Sequence, residues 1–431
     1  MEYTIPKGLY DILPEEIDPE AAWRTSEKWQ YVEEKMRQIA HIYGFKEIRT
    51  PMFERTELFV RGVGESSDIV TKEMYTFLDK GERSMTLRPE GTAAALRAFV
   101  ENKLYERPSL HKFFYIGPMF RYERPQAGRY RQHYQFGAEA IGTAKPEQDV
   151  EIIDFLCEIY RQLGLKNLVV MLNSVGDAAS REAYRTKLSE YLKPRFAELS
   201  ADSQVRFTKN ILRILDSKDP KDQKLLEGVP SILETLTSES RDYFAQVQAL
   251  LKKQNIAFTV NPKLVRGLDY YNNTVFEVLS SDLGAQNSIG GGGRFDGLVA
   301  DLGGPNLPSV GFATGIERVL QTMLKQKAHF PPPAHPLVFI IGIGSAAYAY
   351  CFELLMSLRH QGIEAEMDLS GKKVQHGLQL ANAARASYAL VIGDSELSTK
   401  EVQLKNMATR ESSSVKLQDL LGKLKQLDKK Q

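Results

Sequence analysis

The chain has 431 residues, 42% of them hydrophobic and 26% charged, with a formal net charge of +1. These proportions fit a folded globular protein of two or three domains, exclude a disordered or fibrous chain, and leave any nucleic-acid surface to local charge asymmetry. The longest apolar runs, such as residues 337–341, are too short to span a bilayer, so no membrane partner is expected. The N-terminus MEYTIPKGLYDILPEE has no basic stretch followed by an apolar one, which argues against secretion. Two cysteines, Cys157 and Cys351, can build neither a disulfide framework nor a thiolate zinc site, which points to a reducing cytoplasm.

In chain order, residues 24–43 place Trp29, Val32, Met36, Ile39 and Ile42 at helical spacing and predict an amphipathic helix closed by Gly44. FKEIRTPMFE follows as an extended segment broken by Pro51. Residues 112–121 and 132–141 are rich in aromatic and branched side chains around an arginine-containing loop, and predict a long antiparallel hairpin. A helix over 147–164 turns Val150, Ile153, Phe155, Ile159 and Leu163 inward, and LVVML at 168–172 reads as a short buried strand. Residues 177–257 are polar and helical in pattern, with Leu188, Tyr191, Phe196, Leu215, Ile232, Phe244 and Leu250 scattered through charge, and read as an inserted helical subdomain. Strand signals return with NPKLVRGLDYYNNTVFEVLS, followed by GGGGRFDGL and the helix-like GFATGIERVLQTML. HFPPPAHP at 329–336 is a semi-rigid proline linker. Beyond it, strands and helices alternate to the end, which predicts a small α/β domain with a largely parallel sheet.

The hairpin carries the most chemistry. Residues 121–131 hold four arginines and one acid in eleven residues. Arg121 can set a fixed cationic fork over a phosphate, and Glu123 can accept from an exocyclic amine. A solvated hairpin with charged tips explains the same stretch. Arg266, Asp269, Tyr270 and Tyr271 lie beside a strand, where adjacent tyrosines would face opposite sides and at most one would line a pocket. The glycines of GGGGRFDGL allow close approach to a ligand, or simply a tight turn or bulge, and lack the spacing of a dinucleotide loop. Arg318 falls at a helix start; Glu90 and Thr92 fall at a turn entering a helix, where a capping role is the plain alternative. His133 alternates with aromatics and reads as structural, and no metal-ligand cluster or nucleophile–His–acid pattern appears.

FRYERP on the hairpin and GFATGIER later resemble motifs two and three of the class II aminoacyl-tRNA synthetases. GFKEIRTPMFE (44–54) resembles their motif one, a dimer-interface element in that class. LVRGLDYYNNTVFE and GGGGRFDGL resemble the two signature peptides peculiar to histidyl-tRNA synthetases, and TLRPEGT and RYRQHYQFGAEAIG match that family too. The likeness runs essentially end to end. One departure is Phe295, where the second signature commonly has tyrosine; it can pack against an imidazole but offers no phenolic hydrogen bond.

The resemblance implies an α+β catalytic domain built on an antiparallel sheet, in two parts (1–176 and 258–328) around a helical insertion (177–257). A linker (329–336) and a C-terminal α/β anticodon-binding domain (337–431) would follow. That last segment carries 12 Lys and Arg against 10 Asp and Glu, so its role comes from likeness and not from charge. The implied reaction activates L-histidine with ATP and Mg²⁺ to histidyl-adenylate, then transfers histidine to the terminal adenosine of tRNA(His), releasing AMP and pyrophosphate. By the same resemblance, Arg121 and Arg266 would neutralise the α-phosphate, Arg318 the γ-phosphate, and Glu123 would read adenine. Glu139 and Tyr271 would hold the imidazole, with Tyr270 beside them, and Glu90, Thr92 and Gln135 the α-ammonium. Arg124 and Gln126 would meet the acceptor end of the RNA, and the protein would be a cytoplasmic homodimer. Two other readings compete: an inactive paralogue serving as a regulatory subunit in histidine biosynthesis, and a nucleic-acid-binding or structural protein reusing the fold. Such a paralogue typically lacks the last domain and has eroded arginines, whereas this chain keeps both.

Overall fold

The computed structural model describes residues 3–64, 67–124, 128–283 and 287–428. The chain divides into two compact units, Met1–Phe330 and Pro331–Gln431.

In the first unit α1 (Ser26–Ile42) buries Trp29, Val32, Met36, Ile39 and Ala40. Ile42, expected on the same stripe, is 80% exposed. Each step of three residues slips about 60° around a helix, so Ile42 falls about 120° from Met36 and leaves the buried face. Next come β1 (Lys46–Glu47), β2 (Phe53–Arg55), α2 (Thr56–Val63), β3 (Tyr75–Leu78), β4 (Ser84–Leu87) and α3 (Thr92–Glu101). Strands β2, β4 and β3 form a small antiparallel sheet. The predicted hairpin is β5 (His111–Phe120) with β6 (Gln132–Ile141), paired without a break from His111↔Ile141 to Phe120↔Gln132. Helix α4 (Pro146–Gln162) opens on proline, whose missing N–H costs nothing in a first turn. Strand β7 (Leu168–Ser174) is buried toward its C-terminal end, while Val169 near its start is 44% exposed.

Helices α5 (Ala178–Leu192), α6 (Ala201–Lys209) and α7 (Pro220–Leu225) share a cluster built on Tyr184, Leu188, Leu192, Ile214 and Ile232. The Asp177 carboxylate caps α5 by accepting from Ser180 N at 2.7 Å. Helix α8 (Ser238–Lys253) leaves that body and adds Phe244, Val247 and Leu251 to the main core. Strands β8 (Phe258–Val260), β9 (Asn272–Ser280) and β10 (Ser288–Arg294), helix α9 (Leu298–Asp301), strand β11 (Ser309–Gly315) and helix α10 (Ile316–Lys325) complete the unit.

The main sheet has the order β1-β5-β6-β11-β10-β9-β7-β8 and is antiparallel across its six central strands. Side chains alternate across it. Phe136, Ala138, Ala140, Phe276 and Phe312 join the core formed with α1, α4, α8 and α10. Gln135, Gly137 and Glu139 therefore point to the opposite face, where the chemistry gathers.

The second unit runs β12 (Val338–Gly342), α11 (Ser345–Arg359), β13 (Ala365–Met367), α12 (Val374–Ala383), β14 (Tyr388–Ile392), α13 (Asp394–Thr399), β15 (Glu401–Asn406), β16 (Ser412–Lys416) and α14 (Leu417–Asp428). Its sheet, β13-β12-β14-β15-β16, is mixed and not largely parallel: β13, β12 and β14 run parallel, β15 and β16 antiparallel. The connections after β14 are too short for the crossover that a parallel return requires.

Each unit holds its own apolar clusters, centred on Phe114, Phe136 and Phe155 in the first and on Val338, Ile340, Leu355 and Leu390 in the second. A chain ending at Phe330 and a fragment starting at Pro331 are therefore each expected to unfold cooperatively on heating and to give dispersed amide NMR spectra. A collapsed spectrum from either fragment would show that its core is insufficient alone.

Candidate active site

A cleft of about 1270 Å³ opens on the polar face of the main sheet, lined by Arg121, Glu123, Gln135, Arg266, Glu277 and Arg318 among others. Its three predicted arginines come from three different parts of the chain. Arg121 stands one residue beyond β5 and donates Nε to the Pro89 carbonyl at 2.8 Å. Arg266 precedes β9 and donates Nη1 to Glu277 Oε1 at 2.7 Å, while its buried Nε has no hydrogen-bond partner. Arg318 lies in the first turn of α10 and donates Nη1 to Ser288 O at 2.5 Å and Nε to Gly128 O at 3.2 Å. A cation in a helix's first turn opposes the macrodipole, so this arrangement favours an anion in front of it. His133, read from sequence as structural, also lines the cleft. Burial and the nearby Arg121 and Arg318 charges push its imidazole down to about 3, so it is neutral. Glu123 pairs with Arg129 Nη1 at 3.1 Å. Arg124 is exposed beyond it, and Gln126 lies outside the described residues.

Beside the cleft lies a buried acidic cluster. Glu90 accepts from the backbone N–H groups of Thr92 (2.7 Å) and Ala93 (2.8 Å), and so does cap α3 as the plain alternative has it. Thr92 Oγ1 and Tyr115 OH donate to Glu139 Oε1 at 2.7 and 3.3 Å, while Glu139 Oε2 is buried without a partner. Burial raises the Glu139 carboxyl well above the usual carboxylate range, and neighbouring Glu90 adds to it. Glu90 is raised too, chiefly by burial, against the pull of its two backbone donors. Glycines make room here: a side chain at Gly91 or Gly137 would strike the Tyr115 ring, and one at Gly311 the Glu139 carboxylate.

Gln135 lies in the cleft, with Oε1 lacking a partner, and Glu139 follows four residues later on the same strand face. Gln135 thus joins the arginines in the cleft, and the strand links it to the acidic cluster. The tyrosines differ from the sequence expectation. Tyr270 and Tyr271 do not face opposite sides, because 266–271 is a turn and β9 starts only at Asn272. Their rings lie 4.6 Å apart, and both meet Phe295, at 5.5 and 6.4 Å. Phe295 is 1% exposed and packs into that aromatic group. The glycine run is strand β10, with register shifts between Ser288 and Gly290 and between Gly293 and Arg294; a side chain at Gly292 would meet the Gly311 carbonyl.

Sequence reasoning missed Tyr115 and Glu277. Glu277 is the one acid within β9, and Tyr115 sits on the same face of β5 as Gly117, so strand alternation could have found both.

Three cations on a water-accessible cleft, next to a buried carboxyl with a spare acceptor, can bind a phosphate-bearing ligand alongside a polar nitrogen donor. With the antiparallel sheet, its hairpin and the strand-to-helix arginine, they define a class II aminoacyl-tRNA synthetase fold. Residues 14–319 match the family model described as histidyl-tRNA synthetase, and residues 337–427 that described as anticodon binding domain. The histidine–tRNA ligase of Protochlamydia amoebophila is 53% identical over 425 residues, covering 99% of this chain and 100% of that one. That of Bacillus licheniformis is 48% identical over 428 residues, with 99% of each covered. The apo histidyl-tRNA synthetase of S. aureus matches with a TM-score of 0.83 at 38% identity, covering 98% of this chain and 100% of that one. The chain belongs to the histidyl-tRNA synthetase family.

Behind Arg318, Glu317 Oε1 accepts from Tyr134 N at 2.7 Å and from Tyr10 OH. Burial pushes its carboxyl up to about 7. The folded chain then holds this proton more tightly than the unfolded chain does, so the associated stability is complete at low pH and is lost as pH rises from the ordinary carboxylate range through about 7. Glu317→Gln keeps the Oε1 acceptor and cannot ionise. Its melting temperature is expected to fall less between pH 5 and 8 than that of the parent chain, and superimposable profiles would refute the shift.

Proposed function

We propose that this protein is a histidine–tRNA ligase: it activates L-histidine with ATP to histidyl-adenylate and passes histidine to the 3′-terminal adenosine of tRNA(His). The convergence of Arg121, Arg266 and Arg318 on one cleft beside the unpaired Glu139 oxygen is the observation that carries this reading. Full-length likeness to histidine–tRNA ligases, with both family models matched, disfavours the regulatory-paralogue alternative.

The substrates supply both nucleophiles: the histidine carboxylate attacks the α-phosphorus, and the terminal ribose hydroxyl then attacks the acyl carbon. The protein's part is placement and charge stabilisation. In-line attack builds negative charge on the non-bridging oxygens, which Arg121 and Arg266 neutralise while Arg318 holds the γ-phosphate. Glu123 accepts from the adenine amine. Mg²⁺ would enter with the nucleotide, held by its phosphates, and Glu277 is one of the carboxylates lining the cleft that could take part in holding it. When bound, the ion would neutralise charge on the nucleotide's phosphate groups.

Glu139 and Tyr271 hold the imidazole, with Tyr270 packed at a tilt beside Tyr271. A free imidazole N–H donates to the spare Glu139 oxygen, and ligands without such a donor leave it buried and unpaired, a discrimination of about 10⁴ or more. Glu90, Thr92 and Gln135 take the α-ammonium; Glu90 uses one lone pair on each oxygen for its cap and keeps the others. Arg124 and Gln126 meet the acceptor end of the RNA, and residues 337–431 bind the anticodon. A homodimer through the 44–54 region fits the exposed Met52, Phe53, Phe77 and Leu78 around the small sheet. No helix among the described residues is long and apolar enough to cross a membrane, and we place the protein in the cytoplasm.

ATP–pyrophosphate exchange measured with each of the twenty amino acids should proceed with histidine alone and require Mg²⁺. Equal exchange with another amino acid would remove the specificity assignment, and none at all would favour the inactive paralogue. Glu139→Gln should raise the histidine KM about 10- to 100-fold, the cost of leaving a buried polar group without its hydrogen bond, with the ATP KM nearly unchanged. An unchanged histidine KM would move imidazole recognition elsewhere.

A further inference from the structure

Residues 266–271 form an irregular segment before β9 and carry Arg266, Tyr270 and Tyr271. The body containing α5 and α6 grips this segment at three points. Arg181 of α5 donates Nη1 to the Tyr271 carbonyl at 2.5 Å. Arg213 donates Nη1 to the Gly267 carbonyl at 3.1 Å and Nη2 to Asp68 Oδ2 at 2.9 Å. Asn210 Nδ2 donates to Asp269 Oδ1 at 2.9 Å. Arg213 is 8% exposed, an expensive place for a guanidinium whose only task is to tidy a surface turn.

The two arginines reach opposite ends of the segment. Gly267 directly follows Arg266, so holding its carbonyl limits how the backbone that carries Arg266 can move. The bond to the Tyr271 carbonyl likewise holds the residue whose ring packs against Tyr270. Ordinary loop fixing would use short local bonds; here long, rigid forks extend from a helical body whose apolar cluster continues into Val275 of β9 and Tyr271.

We propose that Arg213 and Arg181 are positioning residues for amino-acid activation: Arg213 aims Arg266 through the Gly267 carbonyl, and Arg181 sets Tyr271 through its own carbonyl. The inserted helical body thereby takes part in the first half-reaction, before any RNA is bound. This rests on the roles given above to Arg266 and Tyr271. Since Arg266 acts on charge that develops only in the transition state, loss of Arg213 lowers kcat; since Tyr271 contacts bound histidine, loss of Arg181 raises the histidine KM.

The test is steady-state histidine-dependent pyrophosphate exchange on the full chain without tRNA, with melting temperatures alongside. Arg213→Ala should lower kcat about ten- to a hundredfold, the range for a misplaced catalytic group, with the histidine KM held within about twofold. Arg181→Ala should raise the histidine KM about tenfold with kcat nearly kept, the cost of about one hydrogen bond. In an Arg266→Ala background, Arg213→Ala should cost nothing further. Arg213→Lys keeps the charge opposite Asp68 and loses the two-pronged fork, so it should melt like the parent yet retain the kcat defect, even where the alanine variant fails to fold. Multiplicative losses in the double variant, full kcat in Arg213→Lys, or kcat and KM shifting together with the melting temperature would overturn the proposal. Near-normal exchange in Arg266→Ala alone would instead overturn the α-phosphate reading and, with it, the Arg213 half, leaving the Arg181 effect on KM to stand or fall by itself.

Discussion

The alternation of β6, held in register by β5 on one side and β11 on the other, is the constraint from which the site follows. Phe136, Ala138 and Ala140 must enter the core, so Gln135, Gly137 and Glu139 must leave it on the opposite face. A slip of one residue would drive Glu139 into the aromatic core and expose Phe136. The absence of a side chain at Gly137 then lets the Tyr115 ring lie across the strand and reach Glu139. Burial of that carboxyl, and the upward push on its proton, are consequences of where the register puts it.

The arginines show how charge is kept available or spent. Arg294, 1% exposed, donates to Asp149 and Asp296, and its charge is consumed in holding β10 to α4. Arg121 donates Nε to a main-chain carbonyl, which orients a guanidinium without cancelling its charge. Arg266 is intermediate, tied to Glu277 by one nitrogen and leaving Nε unpartnered. A cation fixed by neutral acceptors needs no reorganisation when an anion arrives, which is the property a charge-stabilising site requires. The partner of an arginine thus separates structural from functional ones more sharply than its exposure does.

Much of this was legible beforehand because the hairpin, α1, α4 and α10 follow strict two- or 3.6-residue periods. Where period alone was trusted too far, it failed: steps of three carried Ile42 off its face, and strand alternation was applied to tyrosines that precede the strand. The return of α8 to the main core was not readable, because Phe244 and Val247 have the same spacing whichever body they pack on. The mixed C-terminal sheet was hidden for a related reason, since a short antiparallel return and a parallel crossover both read as strand, helix, strand. Site roles came from motif likeness: nothing local distinguishes Arg266 from Arg294, and only the fold sets Asp149, from far along the chain, against Arg294 and not Arg266.

The order of groups along β6 has a mechanistic consequence. Arg121 sits at the open end of the hairpin, level with Arg131; Gln135 follows, and Glu139 lies deeper, about 13 Å from Gln135 at the usual rise per strand residue. An amino acid lying along this face with its side chain at Glu139 must direct its carboxylate back toward the arginines. On the roles proposed above, the side chain is recognised at one end of the β5–β6 hairpin and the reacting phosphate is held near Arg121 at the other. Because the strand is hydrogen-bonded on both edges, neither end can drift relative to the other. The irregular 266–271 segment lies outside that ladder and is held instead by hydrogen bonds from Arg181, Arg213 and Asn210.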